Sequence, residues 1–140
     1  MLGSADQDDF ISRSLIAVVT TLRANGSPSS SMVSFARRND HLYFTTTLDR
    51  LKGRTLQHDP RLSLTVLNPH EPWSYMCLEG QVTIHRDNPS ELRDLILALV
   101  DHPDYPWPRD EVEAMVTAPG RAMFELVPNR VTGVVFPVTE

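Results

Sequence analysis

From Tyr75 to His85 the sequence keeps a period of two: Met76, Leu78, Val82 and Ile84 fall on one parity, Glu79, Gln81, Thr83 and His85 on the other. Alternation held this long predicts a half-buried strand, which must be paired along its edges and covered on one face. Gly80 in its middle predicts a bulge or a barrel bend. Arg61–Leu67 repeats the pattern with Leu62, Leu64 and Val66. Leu15–Leu22 is rich in β-branched residues and runs into the turn signal Asn25-Gly26, from which Ser30–Ala36 returns as a second strand. A turn at Arg38-Asn39-Asp40 leads to a third strand, His41–Thr45. Arg121–Val127 and Arg130–Phe136, separated by Pro128-Asn129, close the chain.

Helical signals break in at set places. Residues 5–14 form a short opening helix with acidic residues in its first turn. Asp49 is placed to cap a helix over Arg50–Gln57, which His58-Asp59-Pro60 ends. Asn88 as N-cap, Pro89 at the first helical position and Glu91 in a capping box predict another, with Leu92, Leu95, Ile96, Leu99 and Val100 as its apolar stripe. Asp101–Pro108, which holds Trp107, is a loop, and Asp110–Val116 is a last short helix. Six to seven short antiparallel strands with helices inserted predict a mainly β protein, a closed or nearly closed barrel, in one domain over residues 1–140.

Charge and cysteine usage narrow the function. A net charge of -5 and a pI near 5.5 oppose a general nucleic-acid binder, which needs a clustered basic surface. Cys77 stands alone, so no internal disulfide forms, and no apolar run approaches the roughly 20 residues of a membrane helix. The start MLGSADQDDF lacks the basic and apolar regions of a signal peptide, which leads us to expect a cytoplasmic protein. The five histidines, His41, His58, His70, His85 and His102, have no metal-ligand spacing, and no metal site is expected.

The cations are distributed unevenly. Twelve are arginine and one is lysine, Lys52, set between Arg50 and Arg54 where a strand runs into a helix. Free N–H groups at a helix start favour an anion, arginine adds bidentate hydrogen bonds, and lysine adds a compact charge. Thr45 and Thr46 stand ready as hydroxyl donors just before it. The same spacing also suits a solvated helix face paired with Asp49 and Asp59, and spacing alone leaves both readings open.

Leu15 through Pro28, Arg50-Leu-Lys52-Gly-Arg54 and His58-Asp59-Pro60-Arg61 resemble the flavin/deazaflavin oxidoreductase superfamily, which shares the pyridoxamine 5′-phosphate oxidase-like, FMN-binding split β-barrel. Trp73-Ser74-Tyr75 followed by Glu79-Gly80 resembles the branch that binds coenzyme F420, a deazaflavin. The resemblance implies a homodimer with coenzyme at the subunit interface. Thr45, Thr46, Arg50, Lys52 and Arg54 would then meet the phosphate. Ser31, Met32, Val33 and Ser34 would border the ring, and Trp73 and Tyr75 would line the coenzyme or substrate pocket. The implied activity is hydride transfer from coenzyme F420 to a small organic acceptor. Flavin mononucleotide (FMN) in a flavin reductase or oxidase, or a non-catalytic cofactor-binding protein, are the alternatives. Arg37, Arg38, Arg54 and Arg61 are candidates for the anionic tail of F420. No catalytic acid stands out, with Tyr75 and His41 the conceivable donors. Oxidation of pyridoxamine phosphate is disfavoured, because Phe136–Glu140 ends the sequence without the substrate-binding segment of those enzymes.

Overall fold

The long alternating run forms a single strand, β6 (Tyr75–His85), and the sheet is assembled around it. The computed structural model describes residues 1–137; the last three residues of the expected domain lie outside the described residues. In chain order the other elements are α1 (Ala5–Ser12), β1 (Ile16–Leu22), β2 (Pro28–Ser34), β3 (Ala36–Arg38), β4 (His41–Thr47), α2 (Leu51–His58) and β5 (Arg61–Leu67). After β6 come α3 (Ser90–Leu97), a 3-10 turn over Ala98–Asp101, α4 (Arg109–Val116), β7 (Arg121–Leu126) and β8 (Arg130–Val134). The strand order is β2-β1-β5-β6-β7-β4-β3, every pair antiparallel, with β8 added on β6. The result is mainly β, a curled half-barrel with four short helices, as a split barrel requires.

Curling comes from β6 serving two neighbours on one edge. Tyr75–Glu79 pairs with β8 and Val82–His85 with β7, so the partner changes at Gly80. There is a changeover at this glycine and no bulge: the β5 ladder runs without interruption from Arg61↔Gln81 through Leu62↔Gly80 to Leu67↔Tyr75. A Cβ on Gly80 would stand 3.1 Å from the Leu126 side chain and 3.1 Å from the Val127 carbonyl, so glycine admits the β7–β8 turn.

The described residues hold eight strands, where the sequence suggests six to seven. The predicted second strand, Ser30–Ala36, divides: β2 pairs with β1, and β3 lies at the opposite sheet edge against β4. Phe35 and Ala36 are both buried, Phe35 in the barrel core with Phe44, Leu64 and Phe124, Ala36 in a second cluster. That cluster joins Tyr43 and Met123 to Leu92, Ile96, Val112 and Val116, which fastens α3 and α4 to the outside of β3, β4 and β7. Adjacent residues facing two separate cores end one strand and begin the next.

Two expected caps are not formed. Arg50, not Asp49, occupies the N-cap of α2, in extended backbone and with no side-chain cap. Asn88 does not cap α3; Pro89 does, while Asn88 takes a left-handed conformation (φ 49) and its Nδ2 donates to the Val116 carbonyl at 2.7 Å. Asparagine tolerates that conformation, and its amide does more here by tying the start of α3 to the end of α4.

Candidate functional site

Helix α2 is pressed against the end of the barrel at β1 and β4. The Thr55 hydroxyl donates to the Thr21 hydroxyl at 3.0 Å in a buried contact, and Leu56 is buried in the core. Gly53 makes this approach possible, since a Cβ there would sit 2.2 Å from the Thr47 carbonyl. With β4 extending to Thr47, the turn into α2 is short and tight, and it holds Lys52 against the protein instead of releasing it to water.

Lys52 is half-buried, and beside it stands a cation that no motif in the sequence singles out. Arg121 opens β7 directly opposite Thr47, and its Nη1 donates to the Thr45 carbonyl at 3.5 Å. Burial, with Arg50 and Arg121 adding to it, holds the Lys52 ammonium below the ordinary lysine value. Burial, then Arg50, likewise pulls Arg121 below the ordinary arginine range. Among the described residues Arg50, Lys52, Arg54 and Arg121 enter no ion pair. The Nε of Arg121 is buried without a hydrogen-bond partner; the Thr46 hydroxyl is also unpartnered, but it shares the barrel-core parity of β4 with Phe44, on the face away from Arg121. Partly desolvated cations with orphaned donors oppose folding until an anion joins them, so these residues fit a phosphate group. The uncapped first turn of α2 adds further donors.

The other expected residues are placed as follows. Thr45 already donates its hydroxyl to the Ala122 carbonyl at 2.9 Å. Ser31, Met32, Val33 and Ser34 lie on β2, an edge strand, so every second residue turns an unpaired N–H and C=O outward. Trp73 is 82% exposed, in the loop before β6, and Tyr75 opens that strand. Of the tail candidates only Arg54 is uncommitted. Arg37 bridges Asp8 and Asp40, Arg38 lies over the Tyr43 ring at 5.6 Å, and Arg61 pairs with Asp59 at 2.7 Å. His41 is bound to Glu125, which also accepts from His85 at 2.7 Å and Tyr43 at 3.0 Å.

A cavity of about 310 Å³ lies at the other end of β2, lined by Met32, Val33 and Ser34 together with Ile16, Tyr105 and Trp107. Thr21, which α2 touches, pairs with Ser29, and Ile16 pairs with Ser34. The five residue steps between them on β1 separate the cationic end from the cavity by about 17 Å. The expected ring-binding segment therefore connects the two.

A family model described as pyridoxamine 5′-phosphate oxidase matches residues 4–135. No curated protein matches the sequence. Among solved structures, an F420 reductase is 24% identical, covering 89% of this chain and 94% of that one, with a TM-score of 0.68. A conserved hypothetical protein from Mycobacterium tuberculosis is 19% identical over 100% of this chain and 92% of that one, with a TM-score of 0.75. HutZ, a heme storage protein from Vibrio cholerae, is 13% identical over 96% and 95%, with a TM-score of 0.73. At such identities the structural likenesses speak for the fold alone. The family match spans nearly the whole sequence, and the chain belongs to the pyridoxamine 5′-phosphate oxidase family.

Proposed function

We propose that this protein is an oxidoreductase that binds coenzyme F420 and passes hydride to a small organic acceptor. The observation that carries this reading is the cluster of Arg50, Lys52 and Arg121, none of them in an ion pair among the described residues, with Lys52 half-buried and Arg121 Nε lacking any acceptor. When bound, the reduced deazaflavin supplies the hydride from its ring. Lys52 and Arg121 hold the phosphate by charge and Arg50 by a guanidinium fork, while Arg54, exposed and unpaired at the next turn, reaches toward an anionic tail. The free edge of β2 at Ser31–Ser34 offers alternating backbone donors and acceptors to a ring edge. These groups bind and orient; none of them is a catalytic acid.

A homodimer belongs to the same proposal. On the outer face, Ile16, Leu67, Tyr75 and Val134 form one cross-strand row over β1, β5, β6 and β8, with Met32 exposed beside it. Among the described residues no helix packs over this face, and a second copy would bury it together with Trp73. Among the described residues no helix is long and apolar enough to cross a membrane.

Titration of F420 and of FMN at equal ionic strength, followed by fluorescence, tests the assignment. Tighter binding of F420, weakened in Lys52→Ala, supports it. Tighter binding of FMN transfers the site to a flavin enzyme. If neither binds, the coenzyme reading fails.

A further inference from the structure

Arg50, Lys52 and Arg121 repel one another, and the turn from Thr47 into α2 sets how far apart they stand. On one side that turn hangs from the start of β7, where the Leu48 N–H donates to the Gly120 carbonyl at 3.0 Å. On the other side it is held by one side chain, Gln57, in the last turn of α2. Gln57 Nε2 donates to the Leu48 carbonyl at 3.0 Å and to the Gly53 carbonyl at 2.9 Å, so both amide hydrogens are used. Its Oε1 accepts from Arg86 Nη1 at 3.1 Å, one residue beyond the end of β6. Partners at both ends fix which way the amide faces. Turned over, it would set its NH2 against a guanidinium and its oxygen against two carbonyls.

The Gln57–Leu48 bond closes a ring of backbone from residue 48 to residue 57, and Arg50, Lys52 and Arg54 all lie within it. Leu48 packs against the barrel core, which anchors the ring at its start. Repulsion among the cations drives the turn outward from β7, and the amide opposes that movement. A site held in its binding shape before the ligand arrives spends less binding energy on ordering itself.

We propose that Gln57 is a positioning residue of the anion site. By bonding Leu48 and Gly53 it keeps the turn that carries Arg50 and Lys52 in the shape that receives a phosphate group, and Arg86 acts through it by orienting the amide. The role is indirect, with neither side chain on the phosphate itself. That the phosphate is that of coenzyme F420 rests on the reading above; the action of Gln57 toward a phosphate group does not.

The test compares the natural protein with Gln57→Leu, Arg86→Met and the double variant. F420 and its deazariboflavin fragment, which lacks the phosphate and the tail, are titrated by fluorescence, and inorganic phosphate is followed by the thermal midpoint. Gln57→Leu is expected to weaken F420 about three- to tenfold, the value of one hydrogen bond. It should also reduce the rise in midpoint with phosphate and leave the fragment unchanged, a selectivity that general loss of structure does not produce. Arg86→Met should weaken F420 in the natural background and add nothing to Gln57→Leu. If Gln57→Leu fails to fold, Arg86→Met decides by whether its loss is confined to the ligands that carry phosphate. Unchanged binding in Gln57→Leu, equal losses for F420 and the fragment, or an Arg86→Met effect of the same size in both backgrounds overturns the proposal. A phosphate response diminished by Gln57→Leu, in a protein that takes up neither F420 nor FMN, would retain Gln57 and discard the coenzyme assignment. Equal uptake of F420 by the natural protein and Gln57→Leu would do the converse.

Discussion

Thr55 on α2 gives its hydroxyl proton to Thr21 on β1 at 3.0 Å, and through this buried contact the cationic helix is fixed to the barrel. The same hydroxyl lies 3.1 Å from the Lys52 carbonyl, so its single proton is shared between the strand and the helix. Thr55→Val keeps the shape and removes the donor. It is expected to lower stability by about 1–3 kcal/mol, because Thr21 is left buried without its partner. Denaturant unfolding measures it, and an unchanged midpoint would show that packing alone seats α2.

Gly53 makes a sharper case. Alanine in a helix interior ordinarily gains up to about 1 kcal/mol over glycine. Here the added Cβ meets the Thr47 carbonyl at 2.2 Å, so α2 must move off the β4 turn. Gly53→Ala should therefore destabilise by roughly 1–3 kcal/mol, with weaker phosphate binding. A rise in thermal midpoint would contradict the close approach.

Lys52 carries a pH prediction. Its folded value lies below the ordinary 10.5, with burial as the first cause and Arg50 and Arg121 following. A lowered base costs stability while charged, fully at pH below its folded value, and the cost fades as pH rises toward the unfolded value. Lys52→Met should thus melt higher than the natural sequence at neutral pH, with the gap closing in alkali. Inorganic phosphate should stabilise the natural protein and leave the variant less affected. Equal phosphate responses would remove Lys52 from the anion site.

Glu125 predicts the opposite pH dependence. Burial works to raise its carboxyl, and hydrogen bonds from His41, His85 and Tyr43 outweigh that and hold it below the ordinary 4.5. A lowered carboxylate stabilises fully above its unfolded value and loses the contribution as pH falls through the folded one. Glu125→Gln should cost about 1–3 kcal/mol at neutral pH. Its deficit should shrink below pH 4.5, as seen in paired thermal melts at stepped pH. A deficit constant with pH would mean the carboxylate charge is irrelevant.

The uncovered row on the outer sheet is tested by Tyr75→Glu. Placed between Leu67 and Val134, a charge there should shift the protein to monomer in analytical ultracentrifugation. A monomeric natural protein would dispose of the homodimer proposal.

What the sequence determined by itself were the segments with an unbroken local period. β5 and β6 have the bounds their alternation predicts, and the cationic motif falls on the strand-to-helix turn where it was expected. Where two cores compete for neighbouring residues, as at Phe35 and Ala36, periodicity is silent, and one predicted strand became two. The caps of α2 and α3 show the same limit, because Asn88 was drawn to Val116, far along the chain. Arg121 is the plainest instance. Nothing around it in sequence marks it, and only the pairing of β7 with β4 brings it beside Lys52. Likewise the Ser34–Tyr105 hydrogen bond exists only because the loop between α3 and α4 folds back over β2. Hydrophobic alternation is set by each strand's own residues, whereas the charge balance of a site depends on which distant strands become neighbours.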